Sequence, residues 1–322
     1  MLHETVHGPT AHIALVGADQ RVVEDIGDVP HPPGAQFTYA AITDRYVAFI
    51  YVLTNGQLAQ ALWNLYLFDR RSHRLTLVAH NPTDKNGNPL PSNWVSPTLA
   101  GRYLFWIQGA RTGLPWGGSE IRRYDLTTGR TRTMYRGLAN VLAPYRHDVV
   151  FTAVDPHAPR NLANPPMIMA AFDPVTGHPD TAPAGITAAA DGAFALQSSG
   201  GTLIWNTADA ALKGWNARWG RSITLFPSFS DWPLGARLQM SGPGSPRIYH
   251  QYVAMYSGND YVLDLKTNSF VQLTRNAGGE DMSGPALAIE QYTNPGRPAR
   301  YHYIFDQTVL RLDQLPDLHP CP

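Results

Sequence analysis

The sequence has one cysteine, balanced charge and no long apolar run. Cys321 is the only cysteine among 322 residues, so the chain can form no intramolecular disulfide. Acidic and basic residues number 25 each and are scattered along the chain, which argues against an electrostatic nucleic-acid surface. The longest uninterrupted apolar run, Tyr46 to Leu53, has eight residues, too few to span a bilayer. We therefore expect no nucleic-acid partner and no membrane-spanning segment.

Several catalytic and targeting motifs are also missing. The sequence contains no nucleophile elbow, Walker loop, dinucleotide fingerprint or Cys-x-x-Cys pair. Its first residues lack the basic and then apolar pattern of a secretory signal. His3-Glu4-Thr5-Val6-His7 does match the zinc string His-Glu-x-x-His, but that chemistry requires a helix, and Gly8-Pro9 would end one at once. We therefore interpret this segment as a mobile tail rather than a metal site.

A short motif recurs six times along the chain. An aromatic or aliphatic residue is followed by Asp or Asn and a polar turn, at intervals of 43 to 56 residues, which predicts a repeat architecture. The copies are Phe68-Asp69, Tyr124-Asp125, Phe172-Asp173, Trp215-Asn216, Leu263-Asp264 and Leu312-Asp313. Gly129 and Gly177 end two of the turns and suit a positive φ, and Asn268 takes the same place in the fifth copy.

Each repeat contains four segments of strand-like composition. In the second repeat these are Val95 to Ala100, Tyr103 to Gln108, Glu120 to Leu126 and Arg130 to Tyr135. The second segment of each repeat is rich in β-branched and aromatic residues without helical periodicity, as in a strand buried on both faces. Four short strands at this spacing predict the blade of a β-propeller. We therefore predict an all-β fold, a six-bladed β-propeller formed by a single domain, residues 1–322.

The predicted blades cover residues 36–80, 93–137, 139–185, 190–229, 235–275 and 283–318. In the last blade, Tyr301 to Phe305 is interpreted as the second strand, and no fourth strand is evident. The N-terminal region has two spare strand-like segments, Ala11 to Val16 and Arg21 to Ile26. We predict that one of them completes the last blade and closes the ring, which would remove an exposed sheet edge. Five or seven blades stay open because the motif at Trp215-Asn216 is degenerate.

The strand-turn-strand pattern resembles that of TolB-like β-propellers over most of the chain. The residues that carry the resemblance are Leu65-Tyr66-Leu67-Phe68-Asp69 with Arg74-Leu75-Thr76-Leu77, and Tyr261-Val262-Leu263-Asp264 with Val271-Gln272-Leu273-Thr274. That family includes periplasmic interaction proteins, enzyme-associated propellers and secreted actinobacterial proteins, and the chain resembles the secreted actinobacterial type. The resemblance implies a funnel-shaped ring outside the cytoplasm, secreted or extracytoplasmic, often engaged with another protein. It transfers no catalytic residue, because the repeated motif is structural.

Long loops supply the candidate binding residues. In a propeller blade, the loops after the second strands and the connections between blades open on one rim around the central channel. Aromatic, basic and acidic side chains on such loops are what a binding site requires. The candidates for ligand binding are Arg111, Trp116, Arg160, Asp231, Trp232, Glu280 and Asp281. The alternative is that each loop is only solvated, with the tryptophans covering blade edges.

Two classes of function remain open, because a fold alone does not decide between them. The first, favoured by the missing nucleophile motifs, is a non-enzymatic, monomeric, extracytoplasmic module that binds a protein or carbohydrate at the rim. The second is a carbohydrate-active enzyme, a polysaccharide lyase or glycoside hydrolase. Its catalytic candidates are His157, His80 and Asp155. Arg111 or Arg160 would then neutralise a uronate, and Trp116 or Trp232 would support a sugar ring.

No resident cofactor or metal is predicted. The connection from His80 to Trp94 is long and polar, and such loops are often functional. Within it, Asp84, Asn86 and Asn88 place oxygen donors at alternate positions, as at the start of a calcium loop. The twelfth position of that loop is Val95 rather than Glu, so a polar turn is the favoured interpretation and Ca²⁺ the alternative.

Overall fold

The protein, described here by a computed structural model, is an all-β chain that divides into two compact units. Unit 1 comprises Met1–Asp191 and unit 2 comprises Gly192–Pro322. The structure describes residues 2–17, 21–53, 61–91, 97–111, 118–159, 162, 166–180, 182, 195–207, 211–227, 246–256, 260–273, 277–283, 286–292 and 305–318. These residues contain 26 strands, one 3₁₀ turn and no α-helix. The predicted all-β class is thereby confirmed.

Unit 1 contains four antiparallel sheets. The N-terminal sheet is formed by β1 (Leu2–His7), β2 (Thr10–Val16) and β3 (Val22–Pro30). The next is formed by β4 (Gln36–Ile42), β5 (Tyr46–Val52), β6 (Trp63–Asp69) and β7 (Arg74–His80). It is followed by β8 (Thr98–Ala100), β9 (Tyr103–Gly109), β10 (Ser119–Asp125) and β11 (Thr131–Gly137). The last is β12 (Ala139–Tyr145), β13 (Asp148–Val154), β14 (Met167–Phe172) and β15 (Pro179–Asp180).

Unit 2 contains three antiparallel sheets. The first is formed by β16 (Leu196–Ser199), β17 (Thr202–Asn206), β18 (Leu212–Asn216) and β19 (Ile223–Phe226). The second is formed by β20 (Arg247–Tyr249), β21 (Tyr252–Tyr256), β22 (Asp260–Asp264) and β23 (Ser269–Gln272). The third has β24 (Ala277–Ser283), β25 (Ala286–Tyr292) and β26 (Phe305–Arg311), followed by the 3₁₀ turn Leu312–Gln314. Every sheet is a meander in which consecutive strands pair, as in a propeller blade.

In the four-stranded sheets, the recurring Asp or Asn ends the third strand or directly follows it, and it organises the turn to the fourth. In five copies its side-chain oxygen accepts the backbone N–H of the residue two positions on, at 2.8 to 3.0 Å. This Asx turn explains the choice of residue, because a short side chain with an oxygen acceptor can replace a backbone bond. Asn216, in the degenerate fourth copy, does the same with an amide oxygen.

A positive φ occurs four residues after the Asp or Asn in the same five copies. The residues are His73 (φ 51°), Gly129 (68°), Gly177 (75°), Gly220 (62°) and Asn268 (54°). Glycine and asparagine tolerate the left-handed region best, which confirms the prediction that Asn268 takes the place of the glycine. His73 is the least suited of the five.

The second strand of each four-stranded sheet is buried, and in β5 both faces are covered. Alternate residues of β5 belong to two different hydrophobic clusters, Val47, Phe49 and Tyr51 to one and Ala48, Ile50 and Val52 to the other. The first cluster lies between the N-terminal sheet and the sheet β4–β7, and the second lies between β4–β7 and β8–β11. The near-continuous apolar character of β5 follows from this stacking of sheet against sheet.

The N-terminal region differs from the prediction. The segment His3 to His7 lies in strand β1, paired with β2, rather than in a mobile tail. Strand β2, which includes Ala11 to Val16, has β1 on one edge and β3 on the other, so it is not the missing strand of the last sheet. The region forms a sheet of its own because Ala11, Ile13 and Leu15 pack against the core of the next sheet. The blade number and the ring closure stay predictions.

The last sheet also differs in detail. Its second strand is β25, Ala286–Tyr292, whereas Phe305 begins the third strand, and Tyr301 to Ile304 lie outside the described residues. After β26 the chain turns at the buried Leu312 and runs back along the preceding sheet. There the Leu318 N–H donates to an Asp264 carboxylate oxygen at 3.0 Å. Among the described residues, no helix is long and apolar enough to cross a membrane.

Candidate functional site

Loops of three successive sheets in unit 1 emerge at equivalent places, just after the second strand. A backbone hydrogen bond closes the base of each loop: Leu53 N–H to Leu62 O at 2.7 Å, Ala110 N–H to Gly118 O at 3.0 Å, and Asp155 N–H to Pro166 O at 2.9 Å. We call this end of the strands the loop edge. It is the end at which the sequence predicted a binding rim.

The connection from β7 to β8 contacts the loop edge at two places, Ala61 and Gly109. The Asn81 side chain, 1 % exposed, donates to Ala61 O at 3.0 Å and to Leu90 O at 3.4 Å. Gly109, at the end of β9, lies so close to this connection that a Cβ would stand 2.6 Å from the carbonyl oxygens of Leu90 and Pro91. Only glycine fits there, because that separation is shorter than any van der Waals contact.

The polar turn at Asp84 is held by its own backbone. One carboxylate oxygen of Asp84 accepts the N–H groups of Asn86 at 2.8 Å and Asn88 at 2.9 Å. These bonds, first that from Asn88, lower the Asp84 pKa, and the nearby Arg111 guanidinium adds to the effect. Within the described ranges, no three His, Cys, Asp or Glu side chains lie close enough to hold a metal ion. Calcium binding at this turn stays a prediction.

Among the predicted catalytic residues, the one described contact joins the Asp155 carboxylate to the His157 backbone and not to its ring. The Asp155 carboxylate accepts the His157 N–H at 2.8 Å, which caps a local turn, and the His157 ring is exposed. His80 is exposed too, with Nδ1 at 3.3 Å from Asn81 O. Arg111 lies beside Asp84 and is exposed.

The other predicted binding residues lie either outside the described residues or in strand β24. Trp116, Arg160, Asp231 and Trp232 lie outside the described residues. Glu280 and Asp281 lie in strand β24, paired with Ile289 and Ala288, rather than in the predicted loop, and their side chains are outside the description.

A cleft of about 930 Å³ opens at the loop edge between the N-terminal sheet and the sheet β4–β7. It is lined by Val6, Gly8, Pro9, Pro30, His31, Pro32, Pro33, Leu53 and Asn64. The His31 N–H donates to Pro9 O at 2.8 Å, which ties the turn after β1 to the segment after β3. The walls are mainly apolar, and the two side chains with strong hydrogen-bonding groups among these lining residues are His31 and Asn64.

A buried phenol meets a half-buried carboxylate and a half-buried imidazole behind this cleft. Tyr51, at 0 % exposure, donates its hydroxyl proton to Glu4 Oε1 at 2.5 Å. His31 Nδ1 lies within hydrogen-bond reach of the Tyr51 oxygen and at 3.3 Å from Glu4 Oε1. Burial, and then the hydrogen bond and charge of Glu4, raise the Tyr51 pKa, so the phenol keeps its proton. We call these three residues the Glu4–Tyr51–His31 cluster.

The sequence interpretation did not find this cluster. Glu4 belongs to a string whose sequence predicts a zinc motif or a tail, and Tyr51 is one of many aromatic residues in buried strands. The only local signal is the run Pro30-His31-Pro32-Pro33, a histidine whose backbone is restrained by prolines on both sides. The contact of β1 with β5, which brings Glu4 to Tyr51, joins residues 47 positions apart in sequence, and the local pattern does not specify it.

A second cleft, of about 550 Å³, lies at the opposite strand ends of unit 1. The turns before β9 and β13 and the turn after β14 line it, with Arg102, Tyr103, Arg146, His147 and Asp148 among the residues. Arg102 is held by an ion pair to Asp125 at 2.9 Å. Burial, and then the charges of Asp180 and Asp173, raise the Asp148 pKa, against the opposing effect of His147.

Comparisons with known proteins give a fold but no family. No protein-family model and no curated protein matches the chain. Solved structures of β-propeller proteins do resemble it. An oligogalacturonate lyase in complex with manganese matches 87 % of this chain and 79 % of its own, with 11 % identity and a TM-score of 0.50. Identity this low shows the fold alone.

Two further structures are similar at lower TM-scores. The β-propeller domain of the trilobed protease from Pyrococcus furiosus has 9 % identity and a TM-score of 0.47, with 86 % of this chain and 95 % of that chain covered. The acylaminoacyl peptidase of Pyrococcus horikoshii has 8 % identity and a TM-score of 0.49, with 86 % of this chain covered. This chain spans about half, 52 %, of that peptidase.

Proposed function

We propose that the chain is a non-enzymatic binding module whose ligand occupies the cleft beside His31. The supporting observation is the cleft itself, about 930 Å³ in volume, with apolar walls and two polar side chains, His31 and Asn64. Ligand sites commonly have this size, and a few polar groups within an apolar lining orient what they bind. One wall of the cleft, with Leu53 and Asn64, is carried by the buried strands β5 and β6, which hold that wall in place before the ligand arrives.

The histidines first considered for catalysis give less support to an enzyme. His157 and His80 are both exposed, and among the described residues neither ring is paired with an acidic side chain. A general base is normally oriented by such a partner and lies within reach of the substrate. A binding role for the loop edge needs neither condition.

A carbohydrate-active enzyme, a lyase or hydrolase, is the second candidate. The observation that favours it is the Glu4–Tyr51–His31 cluster, because a hydrogen-bonded carboxylate, phenol and imidazole can hold a proton next to a bound ligand. If the cluster is catalytic, neutral or acidic oligosaccharides incubated with the protein will be shortened, and His31→Ala will stop the reaction. A binding module will leave the oligosaccharides intact.

We also propose an extracytoplasmic location and a six-bladed, TolB-like ring. The support is the sequence resemblance together with the succession of four-stranded meanders. Residues Arg111, Trp116, Arg160, Asp231, Trp232, Glu280 and Asp281 remain proposed ligand contacts elsewhere on the rim. A protein partner is the alternative ligand in this proposal.

The cleft site is tested by filling it. Val6 lines the cleft and is 50 % exposed, so Val6→Trp adds bulk to the cleft without entering the core. Val22, 63 % exposed in the same sheet and not among the cleft residues, gives the matched control Val22→Trp. A panel of oligosaccharides and peptides is screened by thermal shift and isothermal titration calorimetry. We expect any ligand found to lose at least about tenfold in affinity with Val6→Trp, which corresponds to about 1.4 kcal/mol, and to bind Val22→Trp normally.

Two results would count against the proposal. Ligands that bind Val6→Trp as tightly as the unmodified protein would place the site outside this cleft. A panel in which nothing binds would remove the support for a small-ligand module and leave a protein partner as the remaining binding role.

A further inference from the structure

The hydrogen bonds behind the cleft determine which nitrogen of His31 carries the proton. A carboxylate only accepts hydrogen bonds, so Glu4 takes the single proton of the Tyr51 hydroxyl. The contact between the Tyr51 oxygen and His31 Nδ1 then requires Nδ1–H to be the donor. In the neutral ring, Nε2 is therefore an unprotonated acceptor.

Both polar side chains of the cleft offer acceptors. Among the described residues, nothing hydrogen-bonds to His31 Nε2, because the bonds of the His31 ring are those at Nδ1. Asn64 donates one of its two amide N–H groups to the Tyr66 hydroxyl at 3.1 Å, so its Oδ1 has no described partner and one N–H remains as a donor beside it. The cleft thus offers a ring nitrogen and an amide oxygen that both require donors.

The walls of the cleft contribute few donors. Pro9, Pro30, Pro32 and Pro33 have no backbone N–H at all. The N–H of His31 is already bonded to Pro9 O at 2.8 Å, and the N–H of Leu53 to Leu62 O at 2.7 Å. A ligand that brings its own donors fits such a surface, whereas a ligand that needs donors would lose hydrogen bonds to water without replacement.

We propose that this cleft selects a neutral, hydroxyl-rich ligand, a sugar, which donates hydrogen bonds to His31 Nε2 and Asn64 Oδ1. This inference rests on the proposed binding function and names its ligand class. A hydroxyl can donate a hydrogen bond to the site while water donates to its oxygen lone pairs. The C–H faces of a sugar ring can pack on the proline, valine and leucine walls. A peptide main chain is less suited because each N–H comes with a carbonyl that needs a donor.

The same arrangement disfavours acidic sugars. No Lys or Arg is among the lining residues, and the carboxylate of Glu4 lies behind His31. A uronate carboxylate entering the cleft would lose its hydration with no cation to compensate it. Glu4 does not touch the ligand in this proposal; it is a positioning residue that fixes the His31 tautomer through Tyr51.

The tautomer is tested directly by ¹⁵N NMR of the imidazole nitrogens in the ligand-free, full-length protein. We expect His31 to show a protonated Nδ1 and an unprotonated Nε2. Glu4→Gln should reverse this, since a glutamine amide can donate to the Tyr51 oxygen and free the phenol to donate to His31 Nδ1. Asp28→Asn is the matched control, because Asp28 pairs at 2.8 Å with His12 in the same sheet. A His31 ring protonated at Nε2 in the unmodified protein would overturn the inference.

The ligand class is tested with neutral sugars, an acidic sugar and a polyamine, which differ in charge. Cellohexaose, maltohexaose and xylohexaose are titrated by calorimetry against hexagalacturonate and spermidine as anionic and cationic comparators. We expect at least one neutral hexasaccharide to bind, and Glu4→Gln and Asn64→Ala each to weaken that binding about 2- to 10-fold through one lost hydrogen bond. Binding by hexagalacturonate or spermidine only, or by no neutral sugar, would refute the proposed class.

The two proposals fail in different ways. If a neutral sugar binds and Val6→Trp does not weaken it, the cleft is not the site and the proposed function is wrong in its location. If Val6→Trp abolishes binding of an acidic or cationic ligand while neutral sugars do not bind, the site stands and only the ligand class is wrong.

Discussion

Two kinds of side-chain contact organise unit 1: carboxylates that cap turns next to them in sequence, and the Glu4–Tyr51–His31 cluster, whose members are distant in sequence. The turn-capping role of Asp69, Asp125 and Asp173 can be predicted from the local sequence, because a carboxylate two residues before an N–H caps a turn wherever the chain reverses. Glu4, Tyr51 and His31 carry no such local signal. Their meeting depends on strands 47 residues apart in sequence, from Glu4 to Tyr51, and sequence periodicity does not report that contact.

Asp148 supports a prediction about pH at the residue scale. Its carboxyl pKa is raised, first by burial and then by Asp180 and Asp173. A carboxyl whose pKa is higher in the folded protein lowers stability at pH values above that pKa, and the loss disappears as the pH falls below its ordinary unfolded value. Asp148→Asn should therefore raise the melting temperature at pH 7, on the order of 1 °C given partial solvent screening.

The control for this variant is Asp44→Asn, in the exposed turn between β4 and β5. Melting curves from pH 3 to pH 8 should show the Asp148→Asn gain shrinking toward acid pH and no comparable trend for the control. If the stability gain from Asp148→Asn grows at low pH, the Asp148 pKa is lowered in the folded protein rather than raised.

At the scale of strands and turns, the sequence predicted most of what the structure contains. Buried second strands such as β5 and β9 were recognised because continuous β-branched and aromatic runs fit a strand with both faces covered. The exception is β25, Ala286–Tyr292, which includes Glu290 and Gln291 and is therefore less apolar than the aromatic segment near Tyr301 that composition favours as the second strand. Composition thus identifies most buried second strands, but in the last sheet it favours the segment near Tyr301 over the actual second strand, β25.

The repeated turn gives a prediction at the element scale. Gly129 has φ +68°, and a Cβ there would meet the Tyr124 hydroxyl oxygen at 3.4 Å, an ordinary contact. The cost of Gly129→Ala should therefore come from the backbone alone, about 1–2 kcal/mol of unfolding free energy for a residue in the left-handed region. Gly129→Asn should cost less, since Asn268 occupies the same place with φ 54°. Urea denaturation measures both, and equal losses for the two variants would argue against a conformational origin.

At the scale of the whole chain, the N-terminal sheet is the main addition to what the sequence predicted. Its third strand, Val22–Pro30, is mostly exposed, with Ile26 and Val29 buried, and such a pattern does not tell a single closing strand from a separate sheet. What decides in the structure is packing, because Ile13, Ile26 and Val29 share a buried cluster with Phe49 and Phe68 of the next sheet. The same packing creates the cleft, since one of its walls is the turn after β1.

Deleting residues 1–27 should therefore destabilise the protein and remove the proposed site together. The deletion takes away Ile13, 1 % exposed, and Ile26, 4 % exposed, and uncovers Phe49 and Phe68, which are now at most 1 % exposed. Each fully buried aliphatic side chain lost from this cluster is worth about 1.5–3 kcal/mol, so a lower melting temperature and reduced solubility are expected. Ile13→Ala, at a cost of about 2–5 kcal/mol, is the point variant that tests the packing alone, and exposed Val23→Ala is its control. An unchanged melting curve for the truncated protein would show that the N-terminal sheet contributes nothing to the core of unit 1.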